Sequence, residues 1–316
     1  MESRSFRVLI TRRILPEAGR ALETAGIRVA QGGTAPMDAG RLRKRAAGAA
    51  ALLSMLSDRI DAAFLDACPD LRIVANHAVG FDNVDLKAAA ARGVMVTNTP
   101  DVLTRATAEL AWALILACAR RVGEGDRLVR SGGFRGWDPL LLIGQELGGK
   151  TLGIVGAGRI GRAVARIGVG FGMRVRTATR ATRPAAFRRF LAGADVVSVH
   201  VPLTVATRHL IGRDALARMK HTAILVNTSR GPVVDEEALV EALRRRRIAA
   251  AGLDVYEREP RLARGLAGLP NAVLLPHLGS ATREARAGMA LRAARNIVDG
   301  LAGRRPRDLL TPWPIA

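Results

Sequence analysis

The sequence is short of cysteine, aromatic residues and lysine. Two cysteines, Cys68 and Cys118, in 316 residues have no metal or redox spacing, so no metal centre and no disulfide framework are expected. Aromatic residues make up 3%, and none interleaves with the basic residues as a single-strand nucleic-acid groove requires. Lysine occurs only at Lys44, Lys87, Lys150 and Lys220, so arginine carries nearly all of the formal charge of +21. No apolar run approaches the roughly 20 residues that span a bilayer. Phe6 to Thr11 already reads as a strand and leaves no room for a leader. A reducing cytoplasm is therefore expected, with no membrane partner.

The basic excess is spread singly through predicted helices, apart from the run Arg244 to Arg247. That run reads as a solvated last helical turn, where cations suit the dipole. A compositional bias, plus a field attracting small anions, accounts for the charge better than a nucleic-acid surface, so no nucleic-acid partner is expected.

What the sequence does have is Lys150 to Phe171, KTLGIVGAGRIGRAVARIGVGF. A short apolar strand runs into G-x-G-x-x-G (Gly156, Gly158, Gly161) and then into helical periodicity from Arg159. Gly156 makes the tight turn, Gly158 lets a pyrophosphate approach the backbone, and Gly161 lets the helix pack close to the strand. The helix N-terminus then aims free N–H groups at the phosphates. Strand before and helix after are the context this motif needs.

Strand and helix patterns alternate along the rest of the chain, predicting parallel sheets covered on both faces. Asn98 to Pro100 is a natural boundary. The expected fold is α/β with two doubly wound parallel-sheet domains, one of Rossmann type and one flavodoxin-like. Residues 1–99 with 285–316 are assigned to the substrate domain and 100–284 to the dinucleotide domain. Ligands of such sheets sit beyond the carboxyl ends of the strands. There the sequence has Arg230 in NTSRG, Glu259 in DVYEREP and His277 in PHLGS. An arginine fork holds a carboxylate and an adjacent carbonyl. A histidine moves a proton near neutral pH, and a carboxylate beside it favours and orients the imidazolium. This equipment suits hydride transfer between a nicotinamide and a 2-oxo acid.

These motifs, with VGFDNVD (Val79 to Asp85) and HVPLT (His200 to Thr204), make the whole chain resemble the D-isomer-specific 2-hydroxyacid dehydrogenase family. LLSMLSDRID, TPDVLTRATAEL and GGFRGWDP are most similar to its glyoxylate/hydroxypyruvate reductase branch. The resemblance implies catalytic roles for Arg230, Glu259 and His277. It implies substrate binding by the backbone amides of Val79 and Gly80, together with Arg230 and His277. It further implies cofactor contacts at Thr107, Gly156, Gly158, Arg159, Ile160, Gly161, His200, Pro202, Thr228, Asp254 and Gly279, with Asp254 meeting the nicotinamide carboxamide.

NAD sites carry an acidic residue about 20 positions after the glycines, for the ribose hydroxyls. Here Thr179 stands at that position with Arg180 behind it, and Val175 to Arg183 contains no Asp or Glu. NADP is therefore the expected cofactor, with NAD the alternative. The segment from Arg183 to Ala194 is shorter than the family pattern, which predicts a trimmed crossover and sheet edge. A homodimer is expected through the Thr104 to Arg121 helix and the Gly132 to Leu142 loop, with Trp137 as anchor. Two alternatives stay open: another, NAD-linked, dehydrogenase of the family, or a nucleotide-sensing corepressor-like binding protein.

Overall fold

The computed structural model describes residues 6–313. The chain divides into two compact units, Met1–Leu103 with Ala281–Ala316, and Thr104–Ser280. The first unit begins β1 (Arg7–Ile10), α1 (Glu17–Thr24), β2 (Arg28–Gln31), α2 (Ala39–Ala46) and β3 (Ala51–Ser54). It continues with α3 (Ala62–Asp66), β4 (Ile73–Asn76), α4 (Leu86–Ala91) and β5 (Met95–Thr97). The second unit opens with α5 (Thr104–Ala119), α6 (Val122–Arg130), β6 (Thr151–Val155), α7 (Arg159–Gly170) and β7 (Arg174–Ala178). Next come α8 (Pro184–Gly193), β8 (Val196–Val199), α9 (Arg213–Arg218) and β9 (Ile224–Asn227). It closes with α10 (Glu236–Arg244), β10 (Ala250–Leu253) and β11 (Ala272–Leu274), after which α11 (Arg283–Leu301) returns to the first unit.

The first unit holds a parallel sheet in the order β2-β1-β3-β4-β5, the flavodoxin-like order. Side-chain alternation sends Val8 and Ile10 of β1 to a core shared with Ile297 of α11, and Leu9 to a core with Leu42 and Phe64. The second unit holds a parallel sheet in the order β11-β10-β9-β8-β6-β7. One face packs Trp112 and Ile115 of α5 and Val164 of α7 over Ile154 and Val226. The other packs Leu239 and Leu243 of α10 over Val197 and Leu225. Side-chain caps fix where helices begin: Asp38, Asp61, Asp85, Asp235 and Thr282 each accept an N–H from the first turn.

The structure differs from the sequence reading in two places, at the ends of α5 and α10. The crossover after Arg183 is a single helix, α8, of 10 residues. A parallel connection needs one to return over the sheet, and β7 ends the sheet among the described residues. The predicted Thr104 to Arg121 helix stops at Ala119, Arg121 turns left-handed (φ 54°), and α6 follows. Of the Arg244 to Arg247 run, Arg244 lies in the last turn of α10 and Arg245 is its C-cap, while Arg246 and Arg247 lie beyond the helix. Arg246 is left-handed (φ 53°), and the Arg246 and Arg247 amides close the helix end on Leu243 and Ala242 carbonyls. Among the described residues no helix is long and apolar enough to cross a membrane.

Candidate active site

The second unit's site starts at the turn between β6 and α7. Gly156 has φ +97°, and a β-carbon on it would lie 2.7 Å from the His200 carbonyl oxygen, so only glycine fits between the ends of β6 and β8. A β-carbon on Gly161 would overlap the Gly156 carbonyl, which is the close helix–strand approach the motif provides. Gly158, the N-cap of α7, has open space where a side chain would stand. Arg159 and Ile160 follow as the first residues of the helix. The Gly156 amide donates to Ala178 O (2.8 Å), which sets the end of β7 beside this turn. There Thr179 and Arg180 are both exposed, in a tight turn closed by the Thr179 amide on Thr182 Oγ1 (2.9 Å).

Two buried polar atoms on the same sheet edge have no hydrogen-bond partner among the described residues: His200 Nδ1 and Thr228 Oγ1. Burial pushes the His200 ring down to about 4, so it is neutral, and its Nε2 pairs with Ser198 Oγ at 2.8 Å. Orphaned buried groups are rare in native proteins. With the open ground at Gly158, they fit a bound dinucleotide. Pro202 lies in the loop that leaves β8 beside them.

The catalytic candidates follow the ends of β9, β10 and β11. Asn227 shapes the first loop: its Oδ1 accepts the Ser229 amide (3.0 Å) and hydroxyl (2.8 Å), and its Nδ2 donates to Arg230 O (2.9 Å). The Arg230 guanidinium donates back to Ser229 O (2.9 Å). In the second loop Glu259 Oε1 accepts the Tyr256 amide (3.0 Å), and Oε2 lies 2.9 Å from His277 Nδ1. Burial would raise the Glu259 carboxyl. The hydrogen bond and charge of His277, the Tyr256 amide and the charge of Arg230 outweigh it and hold the group below its usual range. With Nδ1 committed to Glu259, Nε2 is the ring nitrogen presented outward. His277 itself is left-handed (φ 55°), with its amide on Asp254 O (2.9 Å).

Asp254 is 1% exposed, and its carboxylate accepts the Leu278 (2.6 Å) and Gly279 (2.8 Å) amides. Burial raises its carboxyl despite those bonds. It thus ties the end of β10 to the turn that holds His277. Thr107, also buried, donates its hydroxyl to Gly279 O (2.8 Å), so that proton is already used within the protein.

In the first unit Val79 and Gly80 form a half-buried turn after β4. Among the described residues neither amide donates to a backbone carbonyl. Two consecutive free N–H groups make a concavity suited to an anion.

Sequence reasoning missed Asn227, Gly231 and Tyr256. A β-carbon on Gly231 would overlap the Tyr256 carbonyl, so this glycine lets the Arg230 and Glu259 loops touch. The Tyr256 hydroxyl donates to Leu275 O (2.8 Å) and joins the Glu259 loop to the His277 loop. An asparagine two residues before a serine at a strand end is a local turn signal. Nothing in the sequence marks what Gly231 and Tyr256 touch.

Residues 112–279 match the family described as D-isomer specific 2-hydroxyacid dehydrogenase, NAD binding domain. A glyoxylate reductase of Aeropyrum pernix is 48% identical over 319 residues, covering 96% of this chain and 95% of its own. The TT0316 protein of Thermus thermophilus matches with a TM-score of 0.93 at 46% identity, over 97% of this chain and 100% of that one. An NADPH-dependent glyoxylate/hydroxypyruvate reductase of Sinorhizobium meliloti, solved with NADP and malonate, matches with a TM-score of 0.87 at 33% identity, over 98% of each chain.

Proposed function

The chain belongs to the D-isomer-specific 2-hydroxyacid dehydrogenase family and is a reductase of small 2-oxo acids; on that premise we propose that it uses NADPH to reduce glyoxylate or hydroxypyruvate to the D-2-hydroxy acid. The observation that carries the reading is the 2.9 Å pairing of His277 Nδ1 with Glu259 Oε2, on the sheet edge that also bears Arg230 and the glycine turn.

When bound, the nicotinamide supplies a hydride to the carbonyl carbon. His277 Nε2–H gives its proton to the carbonyl oxygen, so hydride plus proton convert the 2-oxo acid to the 2-hydroxy acid. Glu259 orients the ring through the 2.9 Å contact of its Oε2 with Nδ1. The Arg230 fork suits the carbonyl and carboxylate of a 2-oxo acid, and in the first unit the paired Val79 and Gly80 amides suit a substrate carboxylate. Gly156, Gly158, Arg159, Ile160 and Gly161 would hold the pyrophosphate. His200, Pro202, Thr228, Asp254, Gly279 and Thr107 would complete the cofactor site.

NADPH is favoured over NADH because the end of β7 offers a hydroxyl and guanidinium groups, Thr179, Arg180 and Arg183, and no carboxylate. A 2′-phosphate suits those donors. Two free, buried cysteines suit a reducing cytoplasm. A homodimer completes the proposal. Trp137 is 85% exposed, with Phe134, Leu140 and Ile143 exposed near it in the sequence, apolar surface that a second copy would cover.

Purified protein tests the reading. NADPH should be oxidised with glyoxylate and with hydroxypyruvate, at higher kcat/KM than NADH. Preference for NADH at equal concentration overturns the cofactor assignment. No turnover with either acid overturns the substrate assignment. A monomer mass in light scattering at micromolar protein overturns the dimer.

A further inference from the structure

The Val79–Gly80 turn is held from behind by an unusually complete set of bonds. Three consecutive peptide carbonyls each accept an N–H, two from just beyond β5 and one from the last residue of β4 itself. Ala78 O takes the Thr99 amide (2.8 Å), Val79 O takes Asn98 Nδ2 (2.8 Å), and Gly80 O takes Asn76 Nδ2 (2.9 Å). In a trans peptide the N–H points opposite to the C=O. The amides of Val79, Gly80 and Phe81 are therefore turned to the other side, and among the described residues none of them donates to a backbone carbonyl.

Asn76 is the member of this set that is itself built into a network. It is the last residue of β4 and 0% exposed. Its second Nδ2 proton goes to Asn83 Oδ1 (3.0 Å), and its Oδ1 accepts the Ser54 hydroxyl (3.0 Å). Asn83 in turn donates to Met55 O (3.1 Å) and Asp58 O (2.9 Å). The Asp58 carboxylate accepts the Met55 amide (2.7 Å) and the Thr11 hydroxyl. The ends of β1, β3 and β4 are joined in this way to one peptide, Gly80–Phe81. Gly80 has no side chain to restrict its dihedrals. Without Asn76 that peptide is free to flip, and the flip puts a carbonyl oxygen where an anion needs an N–H.

We propose that Asn76 is a positioning residue: its amide holds the Gly80–Phe81 peptide so that the turn keeps its N–H groups toward the substrate carboxylate. The inference rests on the reading of this turn as the carboxylate site.

Asn76→Asp tests it. The side chain keeps its shape and exchanges the donor at Gly80 O for an ionised acceptor. The expected result is a rise in KM for glyoxylate of about ten- to a hundredfold. Kd for NADPH, read by fluorescence, should stay within twofold of wild type. A protonated aspartic acid regains a donor, so the ratio of variant to wild-type kcat/KM should recover as pH falls from about 8 to about 5. The titratable and charged neighbours, Asp58, His77 and the Arg286 that acts on His77, are present in both proteins, so the ratio reads what the new carboxylate adds, its coupling to them included. If Asn76→Asp does not fold, Asn76→Ser, too short to reach Gly80, should show the rise in KM without the recovery. A glyoxylate KM within twofold of wild type overturns the proposal. So does an equal loss of NADPH affinity, or a ratio independent of pH in the aspartate variant. A wild-type protein inactive with every 2-oxo acid would instead fault the reading beneath it.

Discussion

Gly231 lies against the backbone of Tyr256 so closely that a β-carbon would overlap the Tyr256 carbonyl carbon and oxygen. The neighbour is backbone and cannot swing aside. Gly231→Ala must separate the loop of Arg230 from the loop of Glu259. Overpacking of this kind costs about 1–3 kcal/mol of stability. The displacement matters more, because a shift of about 1 Å at reacting groups costs up to about a hundredfold in rate. Thermal unfolding with kcat/KM on the same sample checks this: activity should fall much further than stability.

Arg230→Lys keeps a positive charge and loses the planar fork. The carboxylate and carbonyl then share a point charge in place of paired N–H donors. The expected loss in kcat/KM for glyoxylate corresponds to about 2–4 kcal/mol. Activity within twofold of wild type excludes this role.

Glu259→Gln removes the negative charge that lies 2.9 Å from His277 Nδ1. The Glu259 carboxyl sits below its usual range, so it stays ionised throughout the neutral region. The Glu259 contribution to stability is therefore present above the ordinary carboxylate range and is lost as pH falls through the depressed value. Reduction needs the protonated ring, so wild-type kcat/KM for glyoxylate should decline as pH rises, and in the glutamine variant the decline should begin at lower pH. The oxidation direction needs the neutral ring, and its profile should reverse. An unmoved break in the variant rules the coupling out.

Thr179→Asp with Arg180→Ala puts a carboxylate at the end of β7 where the proposal places the 2′-phosphate. Both residues are exposed beyond β7, so the fold should be indifferent to the change. KM for NADPH should rise by about ten- to a hundredfold, while KM for NADH changes little or improves. Parallel changes in the two constants show that the phosphate is not held there.

The alternation of strands and helices, the glycine turn and the chain positions of Arg230, Glu259 and His277 were legible because each is a local pattern. Period-2 and period-3.6 hydrophobicity, and a turn that only glycine allows, depend on residues a few places apart. α6 escaped notice for the same reason. Its two glycines, Gly123 and Gly125, weaken any helical reading, and it buries none of its residues. An Arg121–Glu124 ion pair braces its first turn.

What the sequence determined by itself is therefore the inventory: which strand ends carry which chemistry, and that the end of β7 bears no acid. Tertiary structure decided the pairings. Glu259 meets His277 because β10 and β11 are adjacent in register, with Gly252 opposite Val273. Asp254 reaches the Leu278 and Gly279 amides for the same reason. Asn76 reaches Ser54 because β3 and β4 pair with Ser54 opposite Asn76. Partners brought together across a sheet are set by register, and register follows from burying whole faces rather than from the identity of any one residue.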